Sequence, residues 1–130
     1  MKDYKVWTAK QRYRSLQLTK KAKGMGLLSN PSECCFCGQT VGILQTHNMD
    51  YSVTLEFVPK MIAGVATEEE IKRVKSVLKH VCWRCHMMIH RAEDHPLSSE
   101  RYFERVRNGE RFRPVFRSNA WEELDEFMID

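Results

Sequence analysis

Most of the chain carries apolar residues at the spacing of amphipathic helices. Residues 8–23 predict a helix that Thr8 caps and Gly24 ends; its apolar positions are Ala9, Tyr13 and Leu16. A second helix is predicted where Thr67 opens a capping-box pattern that Glu70 completes; its apolar positions are Ile71, Val74, Leu78 and Val81. Each of these helices therefore has one face available for a core.

Three further helices are predicted in the second half of the chain. Residues 82–91 form the first, which ends before Pro96 because a residue that precedes proline disfavours the helical conformation. Ser98 or Ser99 caps the second, which closes at an Asn-Gly pair; its inward side chains are Tyr102, Phe103 and Val106. Asn119 caps a short acidic helix, and its buried side chains are Leu124 and Phe127.

Two short runs of β-prone residues interrupt the helical pattern. Residues 41–44 and 52–57 have the composition of strands, and polar residues suited to a turn lie between them. We therefore predict a β-hairpin, with the helix at 67–79 inserted after it. The fold class is α+β, with a basic helical extension at 1–30, a core at 31–95 and a C-terminal helical extension at 96–130 that packs on the core.

Positive charge is concentrated near the N-terminus, although the net charge of the 130-residue chain is only +4. The basic residues in this segment are Lys2, Lys5, Lys10, Arg12, Arg14, Lys20, Lys21 and Lys23. Acidic residues are concentrated at the other end, at Glu122, Glu123, Asp125, Glu126 and Asp130. A basic face attracts polyanions through a salt-sensitive interaction. A solvated helix surface has the same composition, so charge alone leaves both interpretations open.

The cysteine count and the apolar pattern bound the cellular context. No apolar run is long enough to span a bilayer, and the first residues lack the apolar core of a signal peptide. The five cysteines are an odd number, which argues against a framework of disulfides. We predict a soluble cytoplasmic protein without a membrane partner, in which the cysteines bind metal.

Four cysteines form two Cys-x-x-Cys pairs, at Cys34 with Cys37 and at Cys82 with Cys85. Each pair can bind one ion from a single tight turn, and two pairs complete the tetrahedral shell of a structural zinc. The sequence therefore predicts a structural Zn²⁺ site. The remaining cysteine, Cys35, could exchange with Cys34, but its spacing from Cys37 is the less usual one.

Three histidines are placed for a second metal site. His86 and His90 are four residues apart, so both imidazoles project from the same side of a helix. His47 lies in the predicted hairpin, which the zinc would tie to the start of that helix. The other two histidines, His80 and His95, lack such partners and are left out.

Two segments carry this arrangement: Leu44-Gln-Thr-His47-Asn48-Met-Asp50-Tyr51, and Val81-Cys82-Trp-Arg-Cys85-His86-Met-Met-Ile89-His90. Together with the zinc ligands they resemble the HNH endonuclease superfamily of the four-cysteine zinc type, including small phage-encoded HNH-like proteins. The resemblance covers about residues 34–91 and implies a small, zinc-stabilised ββα-metal core. The helix at 67–79 interrupts the spacing of that core.

The resemblance also implies roles for particular residues. In HNH endonucleases a divalent cation takes up charge on the phosphate while a histidine base activates water. By position, the ligands of a catalytic Mg²⁺ or Mn²⁺ would be His47, His86 and His90. The base position holds Asn48, whose amide has no useful proton affinity near neutral pH but could still orient water or phosphate as a catalytic residue. Asp50 or a metal-bound hydroxide would be the substitute; a register that makes His47 the base would leave Thr46 as an implausible ligand.

Two classes of function follow. The first is an HNH-type endonuclease that hydrolyses phosphodiester bonds in DNA, or in RNA as the less favoured substrate, weakened by the asparagine at position 48. Its phosphate contacts would be Lys10, Arg12, Arg14, Lys20, Lys21, Lys23, Arg101 and Arg105. The alternative is a catalytically inactive HNH-like zinc module that binds nucleic acid or a host protein, in the host cytoplasm if the protein is phage-encoded.

Overall fold

A computed structural model describes residues 7–130, so Lys2 and Lys5 lie outside the described residues. The described chain has an α+β fold with a two-stranded sheet and six helices, of which five are α-helices and one is a 3-10 helix. It divides into two compact units. The helical unit is the described part of Met1–Asn30 together with Asn48–Lys79. The cysteine-rich unit is Pro31–His47 together with His80–Asp130.

The helical unit contains three α-helices: α1 (Ala9–Gly24), α2 (Tyr51–Ile62) and α3 (Glu68–Val77). The predicted capping boxes at Thr8 and Thr67 are both present, and in each the threonine hydroxyl accepts the N–H of the third helical residue. The core of this unit is aliphatic with one aromatic ring, and it consists of Leu18, Ala22, Leu28, Val53, Phe57, Val58, Met61 and Val74.

The two strands are β1 (Leu44–Asn48) and β2 (Leu78–Cys82), and they pair as a two-stranded sheet. The cysteine-rich unit also contains α4 (Trp83–Arg91), α5 (Pro96–Arg107) and the 3-10 helix Trp121–Phe127. Its core surrounds the four paired cysteines and includes Val81, Trp83, Met88, Tyr102, Val106, Val115, Ala120, Leu124 and Phe127. The cysteines are thus part of the hydrophobic core.

Residues far apart in sequence hold this unit together. The Asp130 carboxylate accepts the N–H groups of Leu97 at 2.9 Å and Ser98 at 3.0 Å, and so caps the start of α5. Gly42 has a φ of 87°, and a Cβ there would lie 2.6 Å from the Val115 carbonyl oxygen. Only glycine allows that close approach, because any side chain would both strain the backbone and clash.

The predicted helices at 8–23, 67–79 and 82–91 correspond to α1, α3 and α4, but the hairpin was predicted in the wrong place. Residues 52–57 belong to α2, not to a strand, because Asp50 caps this helix and its buried positions have helical spacing. The partner of β1 is β2, which occupies residues that we predicted as the end of the second helix. The apolar spacing of that helix continues past its last residue, Val77, so the pattern did not reveal where it ends.

The predicted caps of the last two helices were also displaced. Helix α5 starts at Pro96, and Ser98 and Ser99 are buried inside its first turns instead of capping it. Proline fits this first position because a backbone N–H there would have no hydrogen-bond partner within the helix, so the helix loses nothing by its absence. The last helix is a 3-10 helix whose N-cap is Ala120 rather than Asn119.

Helix α1 buries a different face from the one predicted. Tyr13 and Leu16 are 55% and 48% exposed. The buried residues are small or hydroxyl-bearing with one leucine, and they are Ser15, Leu18, Thr19 and Ala22. The Ser15 and Thr54 hydroxyls are 2.7 Å apart, and such short side chains let α1 pack closely against α2. The polar character of two of these buried residues hid this face from the hydrophobic pattern.

None of the helices described between residues 7 and 130 combines the length and the apolar character that crossing a membrane requires. The three-part division at residues 30 and 95 stays a prediction. The ββα-metal core stays a prediction as well, and the coarser α+β class is confirmed.

Candidate metal centres

The first Cys-x-x-Cys pair lies in a tight turn. The N–H of Gly38 donates to the Cys34 carbonyl oxygen at 2.9 Å, and the N–H of Cys34 donates to the Gln39 carbonyl oxygen at 2.9 Å. Gly38 has a φ of 76°, a conformation that other residues adopt only with strain. The glycine after Cys37 therefore lets the chain turn back, which brings the two thiols of this pair together.

The second pair lies at the start of α4. Cys82 is the N-cap of this helix in an extended conformation, and its Sγ accepts the N–H of Cys85 at 3.4 Å. Strand β2 ends at Cys82, so the strand delivers one thiol and the first turn of the helix delivers the other. This is the local geometry in which one ion can bind both sulfurs.

The two pairs meet in a single buried cluster. Their four Sγ atoms all lie within 4.8 Å of one another, and none of the four cysteines is more than 8% exposed. A tetrahedral zinc with Zn–S bonds of about 2.3 Å holds its sulfurs about 3.8 Å apart. The Sγ atoms of Cys37 and Cys82 are 3.7 Å apart. The cluster could therefore hold a metal ion such as zinc, as predicted.

The charge of this cluster also favours a cation. Hydrogen bonds from Cys37, Cys82 and Cys85 lower the pKa of the Cys34 thiol. Contact with Cys34 and Cys37 raises the pKa of the Cys85 thiol, and its burial raises it further. Sulfurs this close cannot all ionise unless positive charge compensates them, and a divalent cation bound among them would provide that compensation.

Tyr102 is a partner of the cluster that we did not predict. Its side chain is buried, and its hydroxyl oxygen lies 2.9 Å from the Cys85 Sγ. Burial, and then the proximity of Cys85, raises the pKa of Tyr102, so the hydroxyl keeps its proton. A metal-bound Cys85 thiolate would accept a hydrogen bond from that hydroxyl. Sequence analysis had assigned Tyr102 to the core, and no pattern in the chain indicated that its hydroxyl reaches a thiol.

Three histidines form a second cluster in the same unit. His47 on β1 is 5% exposed, whereas His86 and His90 on α4 are half-buried. One ring nitrogen of each lies within 4.8 Å of the others, and the Nε2 atoms of His86 and His90 are 3.0 Å apart. The structure thus brings together the three histidines that the sequence singled out, at distances from which they could share one ion.

The environment keeps His86 in the form that binds metal. Burial, and then the proximity of His90 and His47, lowers its pKa to about 3. A neutral imidazole has a free nitrogen lone pair, which a metal ion requires. His86 therefore needs no deprotonation near neutral pH before it can act as a ligand.

Gln45 contacts this cluster and was also missed. Its Oε1 lies 2.7 Å from the Nδ1 of His86. Gln45 precedes His47 by two residues on β1, and residues two apart in a strand project to the same face. That spacing was visible in the sequence, but glutamine is a common surface residue and did not suggest a role.

Asn48 and Asp50, the other predicted catalytic residues, belong to the helical unit and have local partners there. The Asn48 side-chain amide donates to the Thr54 hydroxyl at 2.9 Å and the Ser15 hydroxyl at 3.1 Å. Its Oδ1 accepts the N–H of Asp50 at 3.0 Å. Asp50 caps α2 through Ser52, whose hydroxyl lowers the pKa of the Asp50 carboxyl. Their catalytic roles stay predictions.

The predicted phosphate contacts differ in availability. Helix α1 carries six basic residues and no acidic residue; the four most exposed are Lys10, Arg14, Lys20 and Lys21. Arg12 and Lys23 on this helix are half-buried. In the cysteine-rich unit Arg101 is exposed, whereas Arg105 forms ion pairs with Glu110 at 2.7 Å and Glu126 at 3.5 Å. Arg105 is therefore the weakest of these candidates.

The fold and the clusters define a small α+β protein with a four-cysteine cluster that could bind a metal such as zinc. No protein-family model matches the chain, and searches of curated proteins and of solved structures find no match either.

Proposed function

We propose that this protein is an HNH-type metal-dependent endonuclease that hydrolyses phosphodiester bonds in DNA. The observation that carries the proposal is the cluster of His47, His86 and His90, in which a strand contributes one imidazole and a helix contributes two. The order β1, β2, α4 along the chain supports it, with α2 and α3 inserted between the strands.

The two clusters have different roles in this proposal. Cys34, Cys37, Cys82 and Cys85 hold a structural Zn²⁺, because four buried thiolates complete its shell and leave no open position. The three imidazoles hold a second ion and leave positions open for water and phosphate. When bound there, a divalent ion supplies Lewis-acid stabilisation of the charge that develops on the phosphate.

The donor set bears on which ion the histidine cluster holds. Imidazole nitrogen suits Zn²⁺, Ni²⁺ and similar transition-metal ions, whereas Mg²⁺ and Mn²⁺ are better served by carboxylates and water. Among the described residues, the histidine group contains no carboxylate. We therefore place Zn²⁺ or Ni²⁺ ahead of the Mg²⁺ or Mn²⁺ that the resemblance suggested.

Asn48 weakens the proposed activity. Its amide is not a base, and the loss of a general base typically costs about 10²- to 10⁴-fold in rate. Asp50 carries a carboxylate two residues further on, but this carboxylate accepts hydrogen bonds as the cap of α2. We propose a slow enzyme in which Asp50 is the nearest substitute in sequence for the missing base.

The proposed substrate fits the charge of α1. A helix with six basic residues and no acidic residue attracts a polyanion, and contacts to phosphate position the nucleic acid without reading its sequence. The exposed cations Lys10, Arg14, Lys20 and Lys21 are the main proposed contacts, with Arg101 in the other unit. Binding of this kind weakens steeply as salt concentration rises.

A second candidate function is a catalytically inactive HNH-like module that binds nucleic acid or a host protein. The observation that favours it is the set of three hydrogen bonds of Asn48. They use both the nitrogen and the oxygen of its side-chain amide to hold neighbouring residues of the helical unit. An asparagine committed in this way supports the helical unit and is not arranged to activate water.

Cleavage of supercoiled plasmid DNA separates the two functions. We expect nicking with Ni²⁺, Zn²⁺ or Mn²⁺ that EDTA abolishes, that His86→Ala removes and that His95→Ala retains. His95 is the matched control because it bonds instead to the Asp130 carbonyl oxygen, at 2.8 Å. Salt-sensitive DNA binding without cutting under any of these metals would favour the inactive module.

Asn48→His tests the missing base. A gain in nicking in a folded variant is expected if the rest of the site is competent, because a histidine can accept the proton of the attacking water. An imidazole cannot reproduce all three hydrogen bonds of Asn48, so circular dichroism and thermal unfolding are measured alongside. A folded Asn48→His variant with unchanged or lower nicking would contradict the assignment of position 48.

A further inference from the structure

We infer that Gln45 is a positioning residue that fixes the tautomer of His86 and thereby sets the affinity of the histidine cluster for metal. This inference rests on the proposed metal site at His47, His86 and His90. It goes beyond that proposal because Gln45 is not a ligand and would act through its hydrogen bond to one of the ligands, His86.

The hydrogen bond between Gln45 and His86 determines which ring nitrogen of His86 carries the proton. Gln45 Oε1 lies 2.7 Å from His86 Nδ1. A carbonyl oxygen can only accept, so the proton of this bond belongs to His86 Nδ1. A neutral imidazole carries one ring proton, and with that proton on Nδ1 the Nε2 of His86 is left with its lone pair.

The lone pair on His86 Nε2 lies beside the other histidines of the cluster. His86 Nε2 lies 3.0 Å from His90 Nε2, and one ring nitrogen of His47 lies within 4.8 Å of a ring nitrogen of each of these two histidines. The nitrogen that Gln45 leaves unprotonated is therefore the nitrogen that points into the cluster. The opposite tautomer would direct a proton into the cluster and would leave two acceptors facing each other at Gln45.

The strand alternation of β1 explains how Gln45 reaches His86. Gln45 and His47 alternate with Thr46 on β1, so both project to one face of the strand. His86 and His90 project from one side of α4. One strand face thus supplies a ligand and a support for a second ligand, while one helix face supplies the two remaining ligands.

The expected effect of Gln45 on metal affinity can be taken from the behaviour of other metal sites. Metal-binding histidines usually donate their second nitrogen to an acceptor, and loss of that partner typically costs about 10- to 100-fold in metal affinity. A glutamine is a neutral acceptor, whereas a carboxylate at the same place would add negative charge and make the imidazole a stronger ligand. The chemistry therefore predicts opposite effects for two substitutions of similar size.

The test compares Gln45→Leu and Gln45→Glu with the wild type and with Gln39→Leu. Gln39 is the matched control, because it is in the same unit and its side chain also makes one partly buried hydrogen bond, to the Phe112 carbonyl oxygen at 3.1 Å. All four proteins are prepared with zinc in the cysteine cluster. The first measurement is the histidine tautomer from ¹⁵N chemical shifts without added metal, and the second is the affinity for Co²⁺ from its absorption spectrum.

We expect the wild type and Gln39→Leu to show His86 protonated at Nδ1, and Gln45→Leu to lose this preference. For Co²⁺ we expect about 10- to 100-fold weaker binding in Gln45→Leu, unchanged binding in Gln39→Leu and tighter binding in Gln45→Glu. An unchanged tautomer in Gln45→Leu would overturn the inference, and so would an unchanged Co²⁺ affinity in that variant.

The two measurements also separate this inference from the proposed function. The tautomer is observed without any ion at the histidines, so it decides the positioning role even if the cluster binds no metal. Absence of Co²⁺ binding in the wild type would contradict the metal site and the effect of Gln45 on affinity, whereas a wild type that binds Co²⁺ but cuts no DNA would contradict only the nuclease.

Discussion

The cysteine cluster and the histidine cluster share one helix but differ in the number and the burial of their donor atoms. Helix α4 supplies Cys85 to the first and the next residue, His86, to the second, because adjacent helical residues project about 100° apart. The cysteine cluster has four donors and lies in the core; the histidine cluster has three donors, two of them half-buried. In the proposed function, an ion at the cysteine cluster would therefore be part of the fold, whereas an ion at the histidine cluster could exchange.

The largest difference should appear when one ligand of each cluster is removed. Cys82→Ser takes a donor from a buried set whose ion binding is coupled to folding, so we expect the cysteine-rich unit to unfold. Circular dichroism and zinc content measure this. Cys35→Ser, at an exposed cysteine outside the cluster, should fold and retain zinc. A Cys82→Ser variant with native stability would remove the distinction between the clusters.

The next largest effect is expected at the histidines. His90→Ala should leave folding and the zinc content of the cysteine cluster nearly unchanged, because His90 is half-buried and is not one of the residues of the hydrophobic core. Its affinity for a second ion should fall by more than the about 10- to 100-fold typical of changes outside the first coordination shell. Calorimetric titration with Ni²⁺ measures this affinity. Unfolding of His90→Ala would mean that the histidine cluster is structural too.

A smaller effect is expected at the hydroxyl that supports the cysteine cluster. Tyr102→Phe keeps the buried ring and removes only the donor to the Cys85 Sγ. We expect the free energy of unfolding to fall by about 1.5–3 kcal/mol, the usual contribution of a hydrogen bond to a charged group. Chemical denaturation measures this free energy, and Tyr13→Phe is the control because the Tyr13 side chain on α1 is exposed. Equal stabilities of the two variants would show that the hydroxyl does not stabilise the thiolate.

The smallest effect is expected where a cap supports α5 without touching either cluster. Asp130→Ala removes the acceptor for the N–H groups of Leu97 and Ser98. We expect Tm to fall by a few degrees with unchanged zinc content, because the cap acts only at the start of α5, whereas several elements hold the cluster. Zinc loss in this variant would show that the cysteine cluster depends on the position of α5 more than its burial suggests.

Features set by short-range chemistry could be predicted from the sequence. The two Cys-x-x-Cys pairs, the spacing of His86 and His90, and the capping boxes at Thr8 and Thr67 all depend on residues within four positions of each other. Local spacing determines these geometries, so the pattern was sufficient. The structure confirms the four-cysteine cluster as a group that could hold metal.

Features set by long-range pairing could not be predicted. Residues 78–82 continue the helical spacing of α3, and only their pairing with β1 makes them a strand. Likewise, the contact between Gln45 and His86 joins residues 41 positions apart. The hydroxyl pair of Ser15 and Thr54 joins residues 39 apart, which is why the buried face of α1 was mistaken. In each case the deciding partner lies outside any local window.

The most direct test of the two-cluster account is the metal content of the folded wild-type protein before and after dialysis against EDTA. Loading with Zn²⁺ and counting zinc per chain by mass spectrometry should give two ions before dialysis and one afterwards, with the circular dichroism spectrum unchanged. The retained ion is expected at the buried thiolates and the lost ion at the imidazoles. A protein that stays fully folded with no metal after EDTA would contradict the account.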